Sequence, residues 1–167
     1  IKKDEINLII CCNFVAEYIF PCLASKVHKE LNLKNCGTFD INANCTGFQI
    51  GISLACEKLK FDKNLKNILV IGSALQSKYL DWSVAENSIY FGDGSGAAIV
   101  SRVPKGFGII ASEVITNSEA YEDVRLIGGG TLISSKNYNI KNKKFFFYNM
   151  NGLETWKQVV VHQPKII

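Results

Sequence analysis

No apolar run in this chain approaches the roughly 18 residues a helix needs to cross a bilayer, so nothing in it reads as membrane-spanning. No two cysteines have C-x-x-C spacing, which removes the usual zinc motifs and leaves no metal site to expect. No helix carries a basic face. The lysines and asparagines are scattered through loops, a pattern that argues against nucleic-acid binding. Histidine is scarce: only His28 and His162 are present, so any chemistry that needs an imidazole has two candidates. His28 falls between Lys26 and Lys29 toward the polar side of its segment, the setting of a solvated surface residue.

What is present describes an ordinary globular protein. The 167 residues suffice for one sizeable core, and 47% hydrophobic with 20% charged residues excludes a disordered chain. A net charge of +4, from 19 basic and 15 acidic residues, is mild and suits docking of an acidic partner. All six cysteines, at 11, 12, 22, 36, 45 and 56, lie in the first third, four of them in apolar surroundings. They read as reduced thiols of a cytosol or organelle lumen rather than as a disulfide framework. The opening Ile1-Lys-Lys-Asp-Glu-Ile6 lacks Met and resembles a helix end entering a strand, so the chain is expected to be a piece of a longer protein, its targeting segment out of view.

Strands and helices alternate through the first half. Asn7 to Cys12 is a continuous apolar run of the kind buried in a parallel sheet, and Pro21 opens a helix reaching about Leu31. Thr38 to Ala43 alternates like a half-buried strand, and Phe48 to Leu59 is a helix apolar on nearly all sides, with Gly47, Gly51 and Ala55 spaced by four. Asn67 to Gly72 is the clearest central strand. This order predicts a parallel sheet with right-handed crossovers, an α/β fold. Beyond it, Ser73 to Asn87 is a long connection, and Ser88–Phe91 and Ala97–Ser101 are expected to flank Gly92-Asp-Gly-Ser-Gly96 as a β-hairpin. Further strands are expected at 108–116, 143–148 and 157–161, the last ending at His162.

The chemistry is placed at Cys45, where a strand runs straight into a helix. A thiol in the first turn faces unpaired backbone N–H groups and the positive end of the helix dipole, both of which favour thiolate. The dipole is worth roughly 0.3–1 kcal/mol, less than the 1.4 or so of one pKa unit. A strong nucleophile therefore needs a second group such as an imidazole. His162, at the carboxyl end of a buried strand where open α/β sheets gather binding groups, is the candidate. A small buried hydrophobe is the alternative for Cys45, and a structural histidine for His162.

Three motifs in this order, Asn44-Cys45-Thr46-Gly47-Phe48, Phe91-Gly-Asp-Gly-Ser-Gly-Ala97 and Val161-His162-Gln163, resemble those of β-ketoacyl-acyl-carrier-protein synthase III, which starts type II fatty-acid synthesis. Ile19-Phe-Pro21, Asp81-Trp82 and Gly128-Gly-Gly130 are similar to further segments of that family. The resemblance implies a thiolase-like αβαβα sandwich of two similar halves, present here as a fragment, with 1–103 most of the first half and 104–167 the beginning of the second. It implies an acyltransferase working as a homodimer, with a CoA thioester as substrate and no cofactor. Cys45 would be acylated by acetyl-CoA or another short acyl-CoA, and malonyl-acyl carrier protein would lose carbon dioxide and attack that thioester. His162 would stabilise the enolate, together with an asparagine expected beyond Ile167. The N–H of Cys45 would supply half an oxyanion hole. Phe91 would line the acyl pocket, Phe20 would reach across the dimer, Trp82 would contact substrate, and Lys165 would dock the carrier protein. The implied setting is a bacterial cytoplasm or a plastid-type organelle.

The chain also departs from the family pattern. A long amphipathic helix between Gly152 and Trp156 and two residues between Gln163 and Lys165 are missing, and Ala85 stands where the family usually has an arginine for the CoA phosphate. Two alternatives therefore stay open: another cysteine-dependent condensing enzyme of this fold, such as a hydroxymethylglutaryl-CoA or polyketide synthase, or a catalytically inactive dimeric scaffold.

Overall fold

The structure, a computed structural model, describes residues 1–166 and divides into two compact units, Ile1–Leu75 with Asp93–Ser112 and Gln76–Gly92 with Glu113–Ile167.

The first unit is built on four strands, β1 (Leu8–Asn13), β2 (Gly37–Ile41), β3 (Asn67–Ala74) and β4 (Gly94–Ser101), in the order β2-β1-β3-β4. β1 lies between two parallel partners, Ile10 opposite Phe39 on one side and Val70 on the other. It is buried along its whole length, which is why its sequence is continuously apolar from Leu8 to Cys12 instead of alternating. Helix α1 (Leu23–Leu31) covers one face of the sheet and α2 (Gly47–Phe61) the other. Successive side chains of β1 serve the two layers in turn. Leu8, Ile10 and Cys12 pack with Ala55 and Leu59 of α2, while Ile9 and Cys11 pack with Ala24 of α1.

The spacing by four in α2 is its contact stripe: Gly47, Gly51, Ala55 and Leu59 are its buried residues. At Gly51 helix and sheet come closest. A Cβ there would lie 2.5 Å from Cys12 Sγ and 3.0 Å from Val70 Cγ1, so glycine is required by close approach and not by a turn.

α1 begins two residues later than Pro21 predicts, because its first turn is fixed from outside. Asp40, near the end of β2, accepts the N–H of Leu23 (2.8 Å) and the Nδ2 of Asn13 (2.7 Å) on Oδ2, and the N–H of Ala24 (2.8 Å) on Oδ1. One carboxylate thus caps α1 and ties it to β1 and β2. Asp40→Ala is expected to cost about 2–3 kcal/mol, the loss of a cap plus hydrogen bonds to a charged group. A urea midpoint equal to wild type would disprove that role.

The expected hairpin is not formed. Ser88 ends a short helix, α3 (Ala85–Ser88), and its hydroxyl turns back to the carbonyl oxygens of Asp81 (2.7 Å) and Val84 (3.0 Å). Its intended partner strand, β4, instead runs antiparallel along the open edge of β3, with Gly96 opposite Gly72 and Ser101 opposite Asn67. Gly94 and Gly96 therefore sit in a strand. The sheet is parallel through three strands with an antiparallel edge.

The second unit contains α3, a two-stranded antiparallel ladder of β5 (Val124–Arg125) and β6 (Asn149–Met150), and helix α4 (Gly152–His162). The strand expected at 108–116 has no ladder among the described residues, and Ile110 is almost fully exposed. The alternation there lacked a neighbouring strand to pair with. The strand expected at 143–148 is a 3-10 helix, Ile140–Phe146, started by a reciprocal cap: Asn139 Oδ1 accepts the N–H of Lys141 and Asn142, and Asn142 Oδ1 accepts the N–H of Asn139. The strand expected at 157–161 is the second half of α4. Asn151 caps that helix by accepting the Glu154 N–H, and a Glu154–Lys157 pair at 2.7 Å adds an i,i+3 contact. The valine run has high strand propensity, but that preference depends on a sheet to join.

Candidate active site

Cys45 sits in the elbow between β2 and α2. The strand ends at Ile41, the chain passes through Asn42 and Ala43, and a 3-10 turn, Asn44–Thr46, runs directly into α2. The turn is held locally. Asn42 Oδ1 accepts the N–H of Asn44 (3.2 Å), and the carbonyl oxygen of Ala43 accepts both the Thr46 hydroxyl (2.8 Å) and the Thr46 N–H (3.2 Å). Asn44 takes a left-handed backbone, φ 49°, which asparagine tolerates better than most residues. The result is an exposed sulfur at a helix entrance, below which Gly47 and Gly51 let the helix rest against β1. A sulfur so placed can be reached by a substrate carbonyl, with backbone N–H groups nearby to hold the oxyanion.

The other cysteines lie in different surroundings. All six are free; Cys11 and Cys12 are buried, and Cys22, Cys36 and Cys56 are half-buried. Burial pushes the Cys11 thiol up to about 12, with the negative charge of Asp40 adding to it, and the Cys12 thiol is raised for the same two reasons. Burial likewise raises Cys36. At pH 8 these thiols stay protonated and shielded, so brief iodoacetamide treatment is expected to alkylate Cys45 ahead of Cys11 and Cys12. Peptide mapping that finds Cys11 modified first would contradict this ordering. Among the described residues, no three His, Cys, Asp or Glu side chains are grouped to hold a metal.

His162 is the last residue of α4, not the end of a strand. Its Nε2 lies 3.2 Å from Asn117 Nδ2. The Asn117 amide is itself fixed, its Oδ1 accepting the Glu119 N–H (3.0 Å) and its Nδ2 donating to Gln158 Oε1 (2.8 Å). Lys165 follows in an exposed 3-10 turn, Gln163–Lys165. Phe91, half-buried, packs edge-on against Tyr148, ring centroids 5.3 Å apart. Trp82 is 67% exposed. It follows Asp81, whose carboxyl is held below the usual range by the Ser83 hydroxyl and N–H, with a smaller contribution from Lys143. Ala85 is the exposed first residue of α3. Phe20 is 82% exposed, beside Tyr18 and Ile19, which are also exposed. Cys45 and Phe20 belong to the first unit, and Phe91, Trp82, His162 and Lys165 to the second. Sequence reasoning missed Asp40 and Tyr148. Asp40 follows a Thr-Phe pair in a strand and carries no capping signature, and Tyr148 lay within the run mistaken for a strand.

Three parallel strands with an antiparallel edge, a helix on either face, and a cysteine at the strand-to-helix elbow are the α/β arrangement of a thiolase-like fold, shared with solved synthase III structures. The crystal structure of 3-oxoacyl-[acyl-carrier-protein] synthase III from Aquifex aeolicus superposes with a TM-score of 0.75 at 28% identity, over 92% of this chain and 44% of that one. Residues 39–118 match the family model described as 3-oxoacyl-[acyl-carrier-protein (ACP)] synthase III. The β-ketoacyl-[acyl-carrier-protein] synthase III of Fusobacterium nucleatum is 34% identical over 99% of this chain and 50% of its own length. That of Rickettsia prowazekii is 36% identical over 79% of this chain and 41% of its own. The chain is thus similar to synthase III proteins over nearly its whole length, with the family model itself matching residues 39–118. It spans about half the length of the curated relatives it matches.

Proposed function

We propose that this chain carries the nucleophile-bearing part of an enzyme that initiates type II fatty-acid synthesis by joining a short acyl-CoA to malonyl-acyl carrier protein. The observation that carries the reading is Cys45, exposed at the entrance of α2 within the stretch that matches the family model. Its thiolate attacks the thioester carbonyl of acetyl-CoA, the Cys45 N–H holds the oxyanion, and the CoA thiolate departs with a proton. Malonyl-carrier protein then breaks the bond to its carboxylate, releasing carbon dioxide. The electron pair left behind is an enolate that His162 steadies by donating a hydrogen bond. That carbon attacks the acetyl-cysteine, forming the new C–C bond and freeing the thiolate.

In this reading Phe91 and Trp82 contact the acyl-CoA, and Lys165 meets the acidic carrier protein. Phe20, in the exposed apolar stretch Tyr18 to Phe20, serves a second copy of the chain in a homodimer. Residues 1–103 then form most of the first thiolase-like half and 104–167 the beginning of the second. The bacterial relatives favour a cytoplasmic setting; no helix among the described residues is long and apolar enough to cross a membrane. The test is to incubate the protein with acetyl-CoA and map the modified peptide by mass spectrometry. An acetyl group on the Cys45 peptide supports the reading. An unmodified protein favours the inactive scaffold.

A further inference from the structure

Asn117 faces His162 with an atom whose identity follows from the backbone. The near end of its amide lies 3.0 Å from the N–H of Glu119, a main-chain group that can only donate, so the side-chain oxygen must be there to accept. The other end is therefore the nitrogen. That nitrogen donates to Gln158 Oε1 (2.8 Å) and lies 3.2 Å from His162 Nε2. Gln158 and His162 are four residues apart on α4, so one face of the helix presents both to the same amide. Asn117, Glu119, Gln158 and His162 all belong to the second unit. An amide nitrogen offers hydrogens and accepts none. If Nε2 carried the hydrogen of the neutral ring, two donors would meet at 3.2 Å, whereas a bare Nε2 accepts from Asn117. The ring's hydrogen then sits on Nδ1.

We infer that Asn117 is a positioning residue that fixes the tautomer of His162, holding Nε2 as an acceptor and leaving Nδ1–H as the donor that meets the enolate. The inference rests on the proposed function and deepens it: the enolate step needs a hydrogen-bond donor, and Asn117 decides which ring nitrogen provides it. Asn117 acts through the imidazole and not on the substrate. A hydrogen bond between neutral groups shifts a two-way equilibrium by roughly 2- to 12-fold, and one to a charged group by about 12-fold or more.

The test reads the ring directly. The chain has two histidines, so His28→Gln leaves a single imidazole to observe. Nitrogen NMR of that protein, carrying isotope-labelled histidine and recorded at alkaline pH where the ring is neutral, separates a bare ring nitrogen from an N–H. With Asn117 in place, Nε2 is expected to be bare and Nδ1 protonated. Asn117→Asp sets a carboxylate oxygen opposite Nε2, and the ratio is expected to move toward Nε2–H by about 12-fold or more. Decarboxylation of malonyl-carrier protein then falls several-fold while acetylation of Cys45 is unchanged. Asn117 is exposed, and a damaged fold would lower both half-reactions together without turning the ring's hydrogen to the other nitrogen. Hydrogen found on Nε2 with Asn117 in place, or a tautomer ratio that Asn117→Asp leaves unmoved, overturns the inference and leaves the proposed function standing. A protein that never acetylates Cys45 overturns the proposed function, whereas the ring's tautomer is read without substrate.

Discussion

Cys45→Ala is expected to abolish acetyl transfer from acetyl-CoA completely while leaving the fold intact. The expectation follows from where the sulfur is placed. It is exposed, no hydrogen bond of the elbow uses it, and the turn around it is closed by Asn42, Ala43 and Thr46. Removing the thiol thus deletes the nucleophile without opening a cavity, unlike substitution of buried Cys11 or Cys12, where large-to-small replacement would reduce stability. The measurement is intact mass after incubation with acetyl-CoA, paired with a urea midpoint close to that of wild type. If the alanine variant still gains an acetyl group, the nucleophile lies elsewhere and the mechanism fails. Cys45→Ser is a stricter version, since it keeps the shape and still lacks an easily formed anion.

His162→Ala is expected to separate the two half-reactions. Acylation of Cys45 survives, and decarboxylation of malonyl-carrier protein falls by roughly 10²–10³-fold, the usual cost of removing one donor from a developing oxyanion. The ring has a defined neighbour, since Asn117 is held by Glu119 and Gln158 with its amide nitrogen 3.2 Å from Nε2. The half-reactions are read independently, as acetyl-enzyme by mass and as carbon dioxide released from labelled malonyl-carrier protein. Equal loss of both steps would remove His162 from the enolate role.

The first unit was largely legible from sequence because its elements are bounded by strong local signals. A strand buried on both faces must be apolar throughout, as β1 is, and a helix touching a sheet through small residues must space them by four, as α2 does. The strand-to-helix junction at Cys45 followed from the alternation over 38–43 running into that helix pattern. Where sequence misled, a β-prone run was read as a strand without a partner to pair with. The valines at 159–161 had no neighbouring strand, whereas Asn151 and the Glu154–Lys157 pair were locally available to make a helix. Ser88 similarly belonged to a helical turn closed by its own hydroxyl. The capping of α1 by Asp40 was hidden for a different reason. Its donors are 16, 17 and 27 positions away in the chain, beyond the reach of any local motif. Separation along the chain likewise hid the Phe91–Tyr148 contact.

The absence of a side chain at position 51 has a mechanical meaning. With clearance of less than one methyl group between α2 and the sulfur of Cys12, the helix has almost no room to roll or slide over the sheet. The exposed sulfur of Cys45, six residues earlier at the same helix entrance, is thus carried on a helix bolted to the most deeply seated strand, an anvil that stands still.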